Sequence, residues 1–177
     1  MEYSAIDIKQ LWYDEPMDTA PVRTSLTTGM TEIKNVHQDT WQIEEGEANQ
    51  DSYRNQLTGK VYRTGRKTMG DLTINFTVGK YDWDTKANLM GGTVITEGSG
   101  SSQTKVGWKR GDDAETVYKS FVALTTDDIY VVIPKAAVTS REASTDGAIG
   151  IAISAVMVDP DASGVASEYW FEKPAEA

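Results

Sequence analysis

His37 is the only histidine, and the chain has no cysteine. A histidine-based triad would have to use His37, a two-histidine metal site cannot form within one chain, and thiol chemistry and disulfides are excluded. Carboxylates are abundant: with 27 acids, adjacent pairs such as Glu44-Glu45, Asp112-Asp113 and Asp127-Asp128 arise readily. General acid-base work needs a cleft that perturbs such groups, which adjacency does not supply, so the pairs read as solvated turns. Asp159-Pro160-Asp161-Ala162-Ser163-Gly164 opens like a calcium loop, but Trp170 stands at the twelfth position, where a bidentate glutamate is required. It reads as a turn. Neither the phosphate-loop spacing nor the dinucleotide fingerprint occurs, so no cofactor is implied and the chain reads as a non-enzyme.

Two patterns remain. The aromatic residues Trp12-Tyr13, Trp83, Trp108 and Tyr169-Trp170-Phe171 could line a groove that stacks sugar rings or holds a peptide, or could fill a core or subunit interface. The second pattern is charge segregation. From Asp39 to Asp51 there are five acids, Asp39, Glu44, Glu45, Glu47 and Asp51, and no base; from Ser52 to Gly70 there are five bases, Arg54, Lys60, Arg63, Arg66 and Lys67, and no acid. Exposed ion pairs stabilise by only about 0–1 kcal/mol each. Segregated patches therefore serve orientation and register between partners better than they serve stability.

The elements that position these residues are mostly strands. Leu72, Ile74, Phe76 and Val78 alternate with Thr73, Asn75 and Thr77, the period of a strand with one buried face. Glu32 to Val36 and Thr40 to Ile43 predict two shorter strands, and residues 116–124 and 129–134 a hairpin turning at Thr125-Thr126-Asp127-Asp128. Asp82 or Asp84 can cap one short helix over Thr85 to Met90, which Gly91-Gly92 ends. Pro16 and Pro21 make the first thirty residues an irregular leading segment. Gly98 to Ser102 reads as a mobile loop between strands. In Ala148 to Val158 one face is bulky and the other mainly small, which predicts a helix or second sheet lying close to the small face, with a neighbouring subunit as the other explanation. The count of about seven to nine strands favours a β-sandwich or barrel over a parallel α/β sheet.

Residues 50–71 predict an extended hairpin bent near Gly59 or Gly65. Each leg of about 10 residues spans roughly 33 Å, against a radius of gyration of about 16 Å for a compact chain of this length. Such an arm reaches past its own domain and needs a partner to order it. A basic arm and an acidic patch elsewhere describe a heterologous contact between copies, one that closes a ring or propagates. The whole chain, 1–177, fits a single β domain carrying this arm. A net charge of -10 argues against general binding to nucleic acid. No apolar run of about 18 residues could cross a bilayer, and Met1-Glu2-Tyr3-Ser4 does not open like a secretory signal, so the expectation is a soluble protein made in the cytoplasm.

The order of these features resembles the tail tube proteins of long-tailed bacteriophages: a leading segment, a strand pair around Thr40-Trp41-Gln42-Ile43, a long hairpin over Tyr53 to Met69, the strand Leu72 to Val78, and a short helix before Gly91-Gly92. The run Val131 to Val138, then Ile149 to Asp159-Pro160, is similar to that family's closing strands. The resemblance implies a β-sandwich subunit that forms homo-oligomeric rings, hexameric in the family, stacked into a tube. DNA would pass through the lumen without specific binding. It implies a virion tail location after assembly in the host cytoplasm, partners such as tape measure or terminator proteins, and no membrane or cofactor; the length leaves no room for an extra C-terminal immunoglobulin-like domain. Related tubes of contractile injection systems move proteins. The competing expectation is a carbohydrate- or peptide-binding β-sandwich module.

Overall fold

A computed structural model describes residues 4–5, 7–112 and 116–175. Met1, Glu2, Tyr3 and Asp113, which figure in the sequence reading, lie outside the described residues. The protein is mostly β with one short helix. The strands are β1 (Ile8–Asp14), β2 (Thr31–Glu32), β3 (Gln42–Glu45), β4 (Ser52–Arg54), β5 (Val61–Thr64), β6 (Leu72–Val78), β7 (Thr93–Glu97), β8 (Thr104–Lys109), β9 (Val117–Thr125), β10 (Ile129–Thr145), β11 (Ala148–Met157) and β12 (Tyr169–Glu172). Helix α1 covers Trp83–Met90. Eight strands form one sheet in the order β2-β1-β9-β10-β11-β6-β3, with β12 also paired to β10, while β4-β5 and β7-β8 stand as separate two-stranded ribbons.

The main sheet folds over itself into a sandwich. Strands β9 and β6 are separated by two others, which would put them about 14 Å apart in a flat sheet. Yet the Phe76 and Phe121 rings meet edge to face at 5.8 Å. They lie in one core with Leu11 and Tyr13 of β1, Val131 and Ile133 of β10, and Ile151 and Ile153 of β11. The fold-over is made within β10. Its register shifts between Ile133 and Ala136, so Pro134 sits at a bulge where no ladder donor is required. The bulge carbonyls are still satisfied: Pro134 accepts from the Met17 amide at 2.9 Å and Lys135 from that of Val158 at 3.0 Å. Before the bulge β10 pairs with β9 and β12; after it, with the start of β9 and with β11.

Several expectations hold locally. Buried and half-buried residues alternate without a break along β6, β9 and β10 form the predicted hairpin, and the Asp82 carboxylate caps α1 by accepting from the Thr85 amide at 2.7 Å. The helix ends at Gly91, whose φ of 70° favours glycine. Residues 98–102 join two strands, and Gly100–Ser102 is a short 3₁₀ turn.

Others are corrected. The leading segment contains β1, a strand pairing with β9 from Ile8 to Asp14, because Leu11 and Tyr13 bury one face ahead of Pro16. The two strands expected over residues 32–43 shrink to β2 and a displaced β3; the stretch between them meets β6 irregularly, where Val36 bridges Val78, the His37 amide donates to the Thr77 carbonyl at 2.7 Å and the Thr40 hydroxyl accepts from the Thr77 amide at 3.0 Å. Among the described residues neither helix nor second sheet covers the small face of β11. Helix α1 lies on the core side, burying Leu89 in the main cluster, and Ala152, Ser154 and Val156 stay half-exposed. No helix among the described residues is long and apolar enough to cross a membrane.

Candidate assembly surface

The hairpin stands as the sequence predicts, rooted in the main sheet. Its legs continue β3 and β6 outward. Gly46 N-H donates to Asp71 at 2.9 Å, Asn49 and Thr68 exchange two bonds of 2.9 Å, Gly65 donates to Asp51 at 2.7 Å, and Asn55 donates to Lys60 at 2.8 Å. The bend is at Gly59, where the Asn55 side chain accepts from the Leu57 amide at 2.8 Å. At the root the legs approach so closely that a Cβ on Gly70 would fall inside the Gly46 carbonyl, so only glycine fits there.

Every residue from Glu44 to Met69 is exposed except the half-buried Gly65. Large apolar side chains are among them: Leu57 at the tip is 95% exposed, Met69 68% and Tyr62 67%. The Arg63 guanidinium lies 4.3 Å from the Tyr53 ring centroid, and Arg54 donates to the Gly59 carbonyl at 3.1 Å. Among the described residues, none of Arg54, Lys60, Arg63, Arg66, Lys67, Glu44, Glu45, Glu47 and Asp51 joins an ion pair. One feature differs from expectation. The acids do not form a patch elsewhere: Glu44 and Glu45 lie on β3 at the root of the same hairpin, and Glu47 and Asp51 on its first leg.

A second exposed surface is the open face of the β6-β11-β10 sheet. Cross-strand register places Thr73, Asn75 and Thr77 beside Val156, Ser154 and Ala152, and these beside Ala137, Thr139 and Arg141. A shallow trough of about 310 Å³ runs along it, lined by Thr40, Asn75, Thr139, Arg141 and Ser154 among others. The sequence signals the asymmetry but not which cover is missing.

The aromatic residues do not share a groove. Tyr13 is in the core, while Trp12, Tyr169 and Phe171 pack on a second small cluster around Val122 and Val132. Trp108 is half-buried on β8 and donates to the Gly91 carbonyl at 2.8 Å. Trp83 and Trp170 project from different elements.

Trp108 belongs to a clamp that sequence reasoning missed. The buried Lys86 of α1 places its ammonium 4.4 Å from the Trp108 ring and 5.6 Å from that of Tyr81, and donates to Glu142 Oε1 at 2.8 Å. This ties the β7-β8 ribbon and α1 to β10. The hydrogen bond from Lys86, then its charge, holds the Glu142 carboxyl below the ordinary 4.5. A depressed carboxyl stabilises the fold above about pH 4.5 and loses that contribution as pH falls through its folded value. Glu142→Gln strips the main partner from a buried ammonium, whereas Lys86→Met removes the charge and keeps the stem. Thermal melts between about pH 3 and 7 should show the larger loss at neutral pH for Glu142→Gln, with a shallower acid limb than in the unmodified chain.

The remaining candidates for chemistry have local partners. His37 Nε2 lies 3.4 Å from the exposed Asp146 carboxylate. Asp128 pairs with Lys9 at 2.5 Å, and Asp127 accepts from the Ser4 and Ala5 amides. Asp161 pairs with Lys135 at 2.5 Å and Asp159 accepts from Ser167 at 2.7 Å, consistent with a turn. Among the described residues no three His, Asp or Glu side chains converge as metal ligands would. No model of a known protein family matches the chain, and no curated protein matches it.

Proposed function

We propose that the chain is a structural subunit of a tail tube of the long-tailed bacteriophage kind, assembling with copies of itself into stacked rings, hexameric in that architecture, whose lumen conducts DNA. The observation that carries the reading is the hairpin from Gly46 to Asp71. An isolated two-stranded ribbon is marginal in water, and among the described residues this one buries no side chain and joins no ion pair. Such an element gains its packing from another molecule.

Other features support the reading. Residues 44–71 hold five acids and five bases, so the net charge of -10 resides in the rest of the chain. A surface of that sign repels phosphates and lets a duplex pass without sticking. The open face of small and hydroxyl side chains is a sheet surface still available to line a lumen or meet a neighbour. Tape measure and terminator proteins would be the partners, and the virion tail the location. The alternative, a carbohydrate- or peptide-binding sandwich, draws its support from clustered rings, and of these only Trp12, Tyr169 and Phe171 pack on one cluster, while Tyr13, Trp83 and Trp108 lie on other elements.

Negative-stain electron microscopy of the purified chain at increasing concentration, with light scattering alongside, tests the proposal. Rings or hollow stacked tubes are expected; a monomer at every concentration would overturn it.

A further inference from the structure

The hairpin is polarised along its length. Its root, residues 44–48 and 69–71, carries Glu44, Glu45, Glu47 and Asp71 and no base. Its outer part, residues 49–68, carries Arg54, Lys60, Arg63, Arg66 and Lys67 against the single acid Asp51, so four negative charges at the root face a net of four positive charges outside it. Among the described residues none of these charges joins an ion pair. Glu45 and Arg54, the only base on that leg, are nine residues apart, about 30 Å at roughly 3.3 Å per residue, well beyond a Debye length of about 8 Å; Lys67 stands nearest the root, four residues from Asp71.

Equal and opposite charge on one extended element makes it self-complementary under translation. We infer that the basic outer part of one copy's arm docks on the acidic root of the next copy's arm. The inference rests on the self-assembly reading and deepens it by naming both halves of the contact. Each copy offers its outer part and its root at separate places, so the contact is heterologous and propagates from copy to copy. The charges set register and encounter. Burial comes from apolar side chains the free chain leaves in water, Leu57 and Tyr62 on the outer part and Met69 at the root.

Two triple variants test this. Arg63→Glu, Arg66→Glu and Lys67→Glu reverse the outer part; Glu44→Lys, Glu45→Lys and Glu47→Lys reverse the root. All six side chains are exposed, so circular dichroism should report an unchanged fold for both variants. By sedimentation velocity each variant alone should stay monomeric where the unmodified chain assembles. An equal mixture should regain large species, because a reversed tip then meets a reversed root. Raising salt from about 0.05 to 0.5 M should dissolve the mixture's assemblies.

A root-reversed chain that assembles like the unmodified one, or a mixture that stays monomeric, would overturn the docking. The first of these, joined to retention of duplex DNA by the unmodified arm and its loss on reversing the outer part, would assign the basic face to nucleic acid. Tubes built by both variants would leave the tube standing and remove the arm-on-root contact. Short oligomers from the unmodified chain that depend on both charge sets, without rings or tubes, would do the reverse.

Discussion

Replacing residues 50–67 by an Asn-Gly turn is expected to give a folded monomer that no longer assembles. Asn49 and Thr68 already exchange both backbone hydrogen bonds, the narrow pair that a two-residue turn closes well. No side chain between them contributes to either hydrophobic cluster. Shortening the connection from 18 residues to two is about three halvings, which by loop entropy raises stability by at most about 2 kcal/mol. Thermal melting should therefore show an unchanged or slightly higher midpoint, and light scattering a complete loss of large species. A lowered midpoint would mean that the arm supports its own sandwich.

Phe76→Ala is expected to have the opposite profile. Phe76 is 2% exposed and meets Phe121 at 5.8 Å and Trp41 at 6.1 Å, joining the two layers where the sheet folds over. Removing such a ring costs about 3–5 kcal/mol, out of a total stability of about 5–15 kcal/mol. At about 2–4 °C per kcal/mol for a domain of this size, the melting midpoint should fall by roughly 6–20 °C. Leu57→Ala is the control from the other side: at 95% exposure it should move stability by less than about 0.5 kcal/mol while weakening assembly. The two substitutions separate folding from association.

The sandwich strands were legible where one rule acted alone. Strand β6 has strict alternation and no proline, and α1 has an aspartate cap and a glycine end. Legibility failed where local rules competed with tertiary partners. Pro16 and Pro21 mark the leading segment as irregular, yet Leu11 and Tyr13 already hold the period of β1. Pro134 suggests the end of a strand, but a bulge with both carbonyls satisfied lets β10 run on to Thr145. The small face of β11 is visible in the composition, whereas the side from which α1 packs depends on Leu89 reaching the core.

The assembly surface divides in the same way. The charge blocks and the bend at Gly59 are properties of the sequence. That the acids sit at the root of the same hairpin follows from pairing of Glu44 and Glu45 with Thr73 and Leu72, a register that strand periodicity alone does not decide. The Lys86 clamp was hidden for the same reason, since its partners Trp108 and Glu142 are far away in the chain.

Hydrogen exchange across the arm, compared between dilute monomer and concentrated assembly, tests the central claim most directly. A ribbon without buried side chains opens at little cost, so its amides between Asn49 and Thr68 should exchange rapidly in the monomer and become protected on assembly, while those of β6 and β11 stay protected in both. Arm amides that exchange equally fast in monomer and assembly would contradict it, because the contact between copies would then lie elsewhere.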